Sequence, residues 1–136
     1  MPTDRKARFK RALLVDDNDI DNFINERIIT SSFFADKVDV KTSTQAALDF
    51  LKTNASNTET LPDVIFLDLN MPVMDGFAFL EEYKKLPDGL KSSCKIVVLS
   101  SSISPEDINR ASTNPLVKKY LNKPLAEKYL DAINFW

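Results

Sequence analysis

Along the chain, short apolar runs alternate with segments whose apolar residues recur every three or four positions. "RALLV" (Arg11 to Val15) stops at Asp16 and is followed by Ile20, Phe23, Ile24 and Ile28 at helical spacing, which predicts a strand leading into a helix. "KVDVKT" (Lys37 to Thr42) alternates as a second strand, and Ser43 or Thr44 is placed to cap a helix carrying Ala47, Phe50 and Leu51. The polar stretch Asn54 to Pro62 reads as a loop feeding a third strand, "DVIFLD". From Gly76, the residues Phe77, Leu80, Tyr83 and Lys84 fit a helix that "LPDG" (Leu86 to Gly89) terminates. "KIVVLS" (Lys95 to Ser100) is a fourth strand. Pro105, Glu106 and Asp107 suit a helical first turn that Asn114 and Pro115 would stop. "LVKKYL" makes a fifth strand, and Leu125, Tyr129, Ala132, Ile133 and Trp136 form the buried stripe of a last helix.

Five alternating strand and helix units predict an α/β fold: a doubly wound, mostly parallel five-stranded sheet with helices on both faces, because parallel neighbours need crossover connections. Patterning alone leaves the strand order open. At 136 residues, 43% of them hydrophobic, the chain supplies one domain with one core.

Charge changes this picture little. Lys+Arg 18 against Asp+Glu 20 gives a formal net charge of -2, which offers no general argument for a nucleic-acid or anionic-membrane partner. Basic residues crowd the start (Arg5, Lys6, Arg8, Lys10, Arg11), and residues 1–9 read as a solvated basic leader to a domain over 10–136. No apolar stretch approaches the roughly 20 residues needed to cross a bilayer, so a soluble, cytoplasmic protein is expected. A lone Cys94 beside a strand reads as reduced and packed, and the absence of histidine excludes His-based nucleophile systems and histidine metal ligands.

The chemistry then rests on carboxylates, hydroxyls and amines. In open parallel sheets, functional residues collect at the carboxyl ends of strands, where the connection direction reverses. Asp16 and Asp17 end the first strand, Asp68 the third and Ser100 the fourth, while Lys123 follows the fifth immediately before Pro124. Each has a plainer reading taken singly, as a helix cap, a local backbone bond or a solvated lysine. As a set, they invite a different one. Two carboxylates about 4 Å apart repel by on the order of 4 kcal/mol at an effective dielectric near 20, so the cluster calls for a cation. An all-oxygen site with few protein ligands favours Mg²⁺, with the backbone carbonyl of Asn70 turned toward it. Lys123 and Ser100 suit a phosphoryl group, and Asp68 is the candidate nucleophile that would form an acyl phosphate.

The strings "LLVDDN", "VIFLDLNMPVMDG", "IVVLSSS" and "YLNKPL", in that order and at these spacings, resemble the receiver domain of two-component response regulators over about residues 10 to 136. The resemblance implies a flavodoxin-like sheet in the order 2-1-3-4-5. It also implies that Asp68 is the phosphoacceptor, that Asp16 and Asp17 bind Mg²⁺ with Asp17 the preferred direct ligand and the Asn70 carbonyl completing the shell, and that Ser100 and Lys123 contact the phosphoryl group. Tyr120 stands at the family's aromatic switch position, against the alternative of an ordinary half-buried tyrosine. Asn70 and Ser102 stand where the lifetime of the acyl phosphate is set. The implied donor is a histidine kinase or a histidine phosphotransfer protein, and the implied output is an unnamed downstream protein or onward transfer in a phosphorelay, with no membrane or nucleic-acid partner and no turnover of an external substrate.

Three rivals compete with this reading, one of them a degenerate receiver that acts only as a docking module, although such domains usually lose one of the acids or the lysine and none is missing here. An aspartate-nucleophile phosphohydrolase would want a second acid where Asn70 stands, and a calcium loop in "DDNDIDN" lacks the mid-loop glycine and terminal glutamate. Because the last predicted helix reaches Trp136, a stand-alone receiver without an appended output domain is expected.

Overall fold

The computed structural model describes residues 6–71, 74–102 and 104–133. The elements are β1 (Phe9–Val15), α1 (Asp19–Ser31), β2 (Ala35–Lys41), α2 (Thr44–Thr53), β3 (Val64–Leu67), α3 (Gly76–Tyr83), α4 (Asp88–Ser93), β4 (Lys95–Ser100), α5 (Pro105–Ser112), β5 (Val117–Asn122) and α6 (Glu127–Asp131). The strands form one parallel sheet in the order β2-β1-β3-β4-β5. The chain leaves β1 for β2 on one side and returns to β3 on the other, so the direction of winding reverses between β1 and β3.

Alternation along the central strands sends side chains to two cores. Leu13, Val15, Ile65, Leu67, Ile96 and Val98 pack with Leu48 and Leu51 of α2, Phe79 and Leu80 of α3 and Ala111 of α5. Ala12, Leu14, Phe66, Val97 and Leu99 face Ile29 of α1 and Leu130 of α6. Burying both faces explains why β3 and β4 read as continuous apolar runs rather than alternating ones. Ser43 caps α2 by accepting from the Ala46 N–H, and Asp75 caps α3 by accepting from that of Ala78.

Several expectations change. Three of the four apolar positions on α1 face outward, Ile20 at 71% exposed, Phe23 at 64% and Ile24 at 45%, while Ile28 packs partly against the core and Asn22, Asn25 and Ile29 form the buried side. The helix is rotated because Asn22 turns in to donate to the Asp16 carbonyl at 2.8 Å, tying the first turn to the end of β1. Helix α4 was not expected, since Pro87, Asp88 and Gly89 read as a terminator; Pro87 instead serves as its N-cap, and Leu90 is buried. In the last helix Leu130 takes the buried position and Ala132 is exposed, while Trp136 lies outside the described residues.

At the start of the chain, Phe9 already belongs to β1 and Arg8 is tied to the fold. Its guanidinium donates to the carbonyls of Leu130 (3.1 Å) and Ile133 (2.8 Å) and lies over the rings of Phe9 and Phe34. Cys94 is buried, and burial pushes its thiol up to about 12, as expected of a packed, unreactive cysteine. No helix among the described residues is long and apolar enough to cross a membrane.

Candidate functional site

The site is built by strand register. The β1–β3 ladder ends at Val15 opposite Leu67, and the Asp68 N–H donates to the Val15 carbonyl at 3.0 Å, so Asp16 and Asp68 emerge side by side at the winding reversal. Carboxylate oxygens of Asp16, Asp17 and Asp68 lie within 4.8 Å of one another. Asp16 is fixed by the Asn18 N–H, which donates to its Oδ1 at 3.0 Å, and Asp68 by that of Asn70 at 3.3 Å. Asp16 and Asp68 are buried, whereas Asp17 is exposed at the mouth.

The tight turn beneath Asp68 depends on Gly76. A side-chain carbon there would fall 2.7 Å from the Asp68 carbonyl oxygen and 2.8 Å from the Leu69 Cα, while the Gly76 N–H donates to the Leu69 carbonyl at 3.0 Å. Absence of a Cβ is what allows α3 to begin directly under the acid.

Lys123 reaches the same place from β5. Its backbone N–H donates to the Ser100 carbonyl at 2.9 Å, and the Lys123–Pro124 peptide is cis. The side chain is 12% exposed, and its Nζ lies 2.6 Å from Asp16 Oδ2, 2.9 Å from Asp21 Oδ2 and 3.6 Å from Asp68 Oδ2. Burial opposes the ammonium charge, but the hydrogen bonds to Asp16 and Asp21, with the field of Asp68, outweigh it and hold the lysine protonated above its ordinary range. For Asp68 the balance goes the other way. Burial pushes its carboxyl up to about 6, with Lys123 pulling it down and the charge of Asp16 pushing it further up.

Ser100 is fully buried, and its Oγ accepts from the Ser102 N–H at 3.1 Å. The Ser102 hydroxyl donates to Asp107 on α5 at 3.1 Å, and the Tyr120 hydroxyl donates to the Ser102 carbonyl at 3.4 Å. Ser100, Ser102, Tyr120 and the first turn of α5 therefore form one connected chain of polar contacts. Beside it, Asp21, Ile24, Asn25, Ser101, Lys123 and Pro124 line a cleft of about 290 Å³.

Four of the acid and amine candidates, Asp16, Asp17, Asp68 and Lys123, thus meet at one point, and Ser100 joins them through the backbone of Lys123. Asn70 is exposed and contributes its N–H to Asp68. Asp21 was missed by sequence reasoning. The available signal was its place in the first turn of α1, immediately after the end of β1 where Asp16 and Asp17 stand.

Three carboxylates sharing a small volume, with hard oxygen donors only, fit a hard divalent cation such as Mg²⁺. A group of this kind supplies neutralisation of charge on phosphoryl oxygens when bound.

The sequence profile of the response regulator receiver domain matches residues 12–134. The chain belongs to that family. Among solved structures, a two-component response regulator from Cytophaga hutchinsonii superposes with a TM-score of 0.83 at 31% identity, covering 93% of each chain. The "Probable methanogenesis regulatory protein FilR2" of Methanothrix harundinacea is 33% identical over 114 residues, 84% of this chain and 72% of that protein. Two-component response regulator ORR1 of Oryza sativa subsp. japonica is 32% identical over 120 residues, which are 87% of this chain and 51% of the rice protein, so the receiver domain spans about half the length of that relative. The sheet order expected from the resemblance is the order found.

Proposed function

We propose that this receiver domain accepts a phosphoryl group on Asp68 from a phosphohistidine of a partner protein, a histidine kinase or a histidine phosphotransfer protein. The observation that carries the reading is the meeting of Asp16, Asp17 and Asp68 with the Lys123 ammonium at the β1–β3 reversal. A carboxylate oxygen of Asp68 attacks phosphorus, the donor's N–P bond breaks, and the imidazole nitrogen keeps the electron pair and is protonated from solvent. The product is an acyl phosphate, which water returns to carboxylate and inorganic phosphate.

Each residue has a part consistent with its surroundings. Asp16, Asp17, Asp68 and the Asn70 carbonyl would hold Mg²⁺. The ammonium of Lys123 and the hydroxyl of Ser100 would meet the phosphoryl oxygens, charge-assisted contacts being the strong ones in a partly desolvated site. Ser100 Oγ accepts from the Ser102 N–H and keeps its own proton to donate to a phosphoryl oxygen, and a turn of the side chain toward that oxygen would loosen the chain of contacts reaching Tyr120 and α5. Such a change would bias the face made by α5, β5 and α6, which a downstream protein reads. Asn70 and Ser102 stand over the approach of water and set the lifetime. The polar contact between Ser102 and Asp107 fixes one of these two positions.

The exposed Ile20, Phe23 and Ile24 support a protein donor. Ile24 lines the cleft that opens on Lys123, and Ile20 and Phe23 are exposed on the same helix, so a protein that brings a phosphohistidine to Asp68 would approach this part of α1. The domain is expected to act in the cytoplasm and to turn over no external substrate. Onward transfer to a second histidine protein is the same chemistry in reverse. The direct test is incubation with a phosphorylated histidine phosphotransfer protein: the phosphoryl group should leave the donor and appear on this chain in one-to-one yield, whereas continuous release of phosphate from small phosphomonoesters would support the hydrolase rival.

A further inference from the structure

Lys123 has three N–H donors and three carboxylates around it, and their distances are unequal. Two of the contacts, to Asp16 and Asp21, are at hydrogen-bond distance, while Asp68 at 3.6 Å lies just beyond it. The ammonium therefore sits closer to Asp16, just after β1, and to Asp21 on α1 than to the residue that would carry the phosphoryl group. Of its two close partners, Asp16 belongs to the acid cluster. Asp21 does not: it sits on the wall of the cleft beside Ile24, with its side chain 36% exposed.

A carboxylate in a first helical turn has a ready explanation, since acids there complement the helix dipole. That effect asks nothing of where the side chain points, and Asp19 in the same turn already provides it. Asp21 makes a contact across 102 positions of sequence, to the lysine on which phosphoryl binding depends. Its backbone is set for this by the Asn18 side chain, which accepts from the Asp21 N–H at 2.9 Å.

We propose that Asp21 is a positioning residue that holds Lys123 in reserve, so that the ammonium must leave Asp21 to engage a phosphoryl group arriving at Asp68. Resting on the phosphoacceptor reading, this assigns regulation of the same site to a carboxylate outside the acid cluster. The consequence is a restrained rate with small phosphodonors. A protein donor seated over Ile20, Phe23 and Ile24 would approach the same turn of α1 and has the opportunity to weaken the Asp21 contact as it binds.

The test compares the wild type, Asp21→Asn, Asp21→Ser and Asp21→Glu, each with Mg²⁺ and acetyl phosphate, by intact mass at short times. Hydrolysis of the acyl phosphate is timed separately after removal of the donor. The neutral variants should gain the phosphoryl group about fivefold faster, the scale of a partly exposed ion pair, and Asp21→Glu should return the wild-type rate. The ¹⁵N-labelled Lys123 ammonium should exchange with solvent faster in Asp21→Asn than in the wild type and Asp21→Glu, in step with the gain in phosphorylation rate; equal exchange in all three overturns the assignment. Thermal melting checks folding, and Asp21→Ser stands in should Asp21→Asn not fold. Unchanged or slower phosphorylation in a folded neutral variant overturns this assignment alone. No phosphorylation of the wild type under any of these conditions overturns the phosphoacceptor reading beneath it.

Discussion

The Lys123 ammonium stands 3.6 Å from the nearer carboxylate oxygen of Asp68, close enough to feel its charge and too far to donate a hydrogen bond. Asp68 is thus a buried carboxylate with an incomplete counter-charge, and burial pushes it up to about 6.

A carboxyl raised in the folded state keeps its proton where the unfolded chain has lost it. Its contribution to stability is fully present below the ordinary value of 3.8 and is lost as pH rises through about 6. At pH 7.5 without metal, the buried charge costs on the order of 3 kcal/mol. Asp68→Asn should therefore melt several degrees above the wild type at pH 7.5 in chelator, with the difference shrinking toward pH 4. An equal difference at both pH values would show that the Asp68 charge is not the cause.

Divalent metal should supply the missing counter-charge. Millimolar Mg²⁺ is expected to raise the wild-type melting temperature at pH 7.5, by mass action on the folded state. Asp17→Asn, which removes an exposed member of the cluster, should abolish most of that rise while leaving the metal-free melt near the wild-type value.

Gly76→Ala would press a methyl group on two backbone atoms that cannot swing aside. A loss of about 1–3 kcal/mol is expected in denaturant titrations, together with slower phosphorylation, because the displaced atoms include the carbonyl of Asp68. Wild-type behaviour in both assays would mean that the turn relaxes freely.

Phe23 is an exposed ring on the outer side of α1, with the Arg27 guanidinium 5.8 Å from its centroid. Phe23→Ser should slow transfer from a phosphorylated histidine phosphotransfer protein about tenfold more than it slows transfer from acetyl phosphate, a ratio in the range of a single interface anchor. Equal effects on both donors would remove α1 from the docking surface.

How much of this could be read from sequence depended on whether the cause was local. β4 was legible to the residue, because the apolar run Ile96 to Leu99, buried on both faces, is bounded by Lys95 and Ser100. α4 was not, since Pro87, Asp88 and Gly89 serve equally as a turn and as the start of a short helix. The rotation of α1 was hidden because it is fixed by a buried asparagine, whereas the apolar spacing pointed to the opposite face. At the site, the strand ends gave Asp16, Asp17, Asp68, Ser100 and Lys123 as candidates, but their proximity followed from a strand order that only the family resemblance implied. The Asp21 contact is tertiary, joining the start of α1 to the residue after β5, so a place in the first helical turn marks Asp21 as near the site without naming Lys123 as its partner.

The most direct measurement is the intact mass of the wild type and of Asp68→Asn after incubation with acetyl phosphate, with and without Mg²⁺. A single phosphoryl group gained by the wild type only with the metal, and by Asp68→Asn under neither condition, is the predicted result. Equal phosphorylation of the two proteins, or none in the wild type, would contradict the assignment of Asp68 as the acceptor.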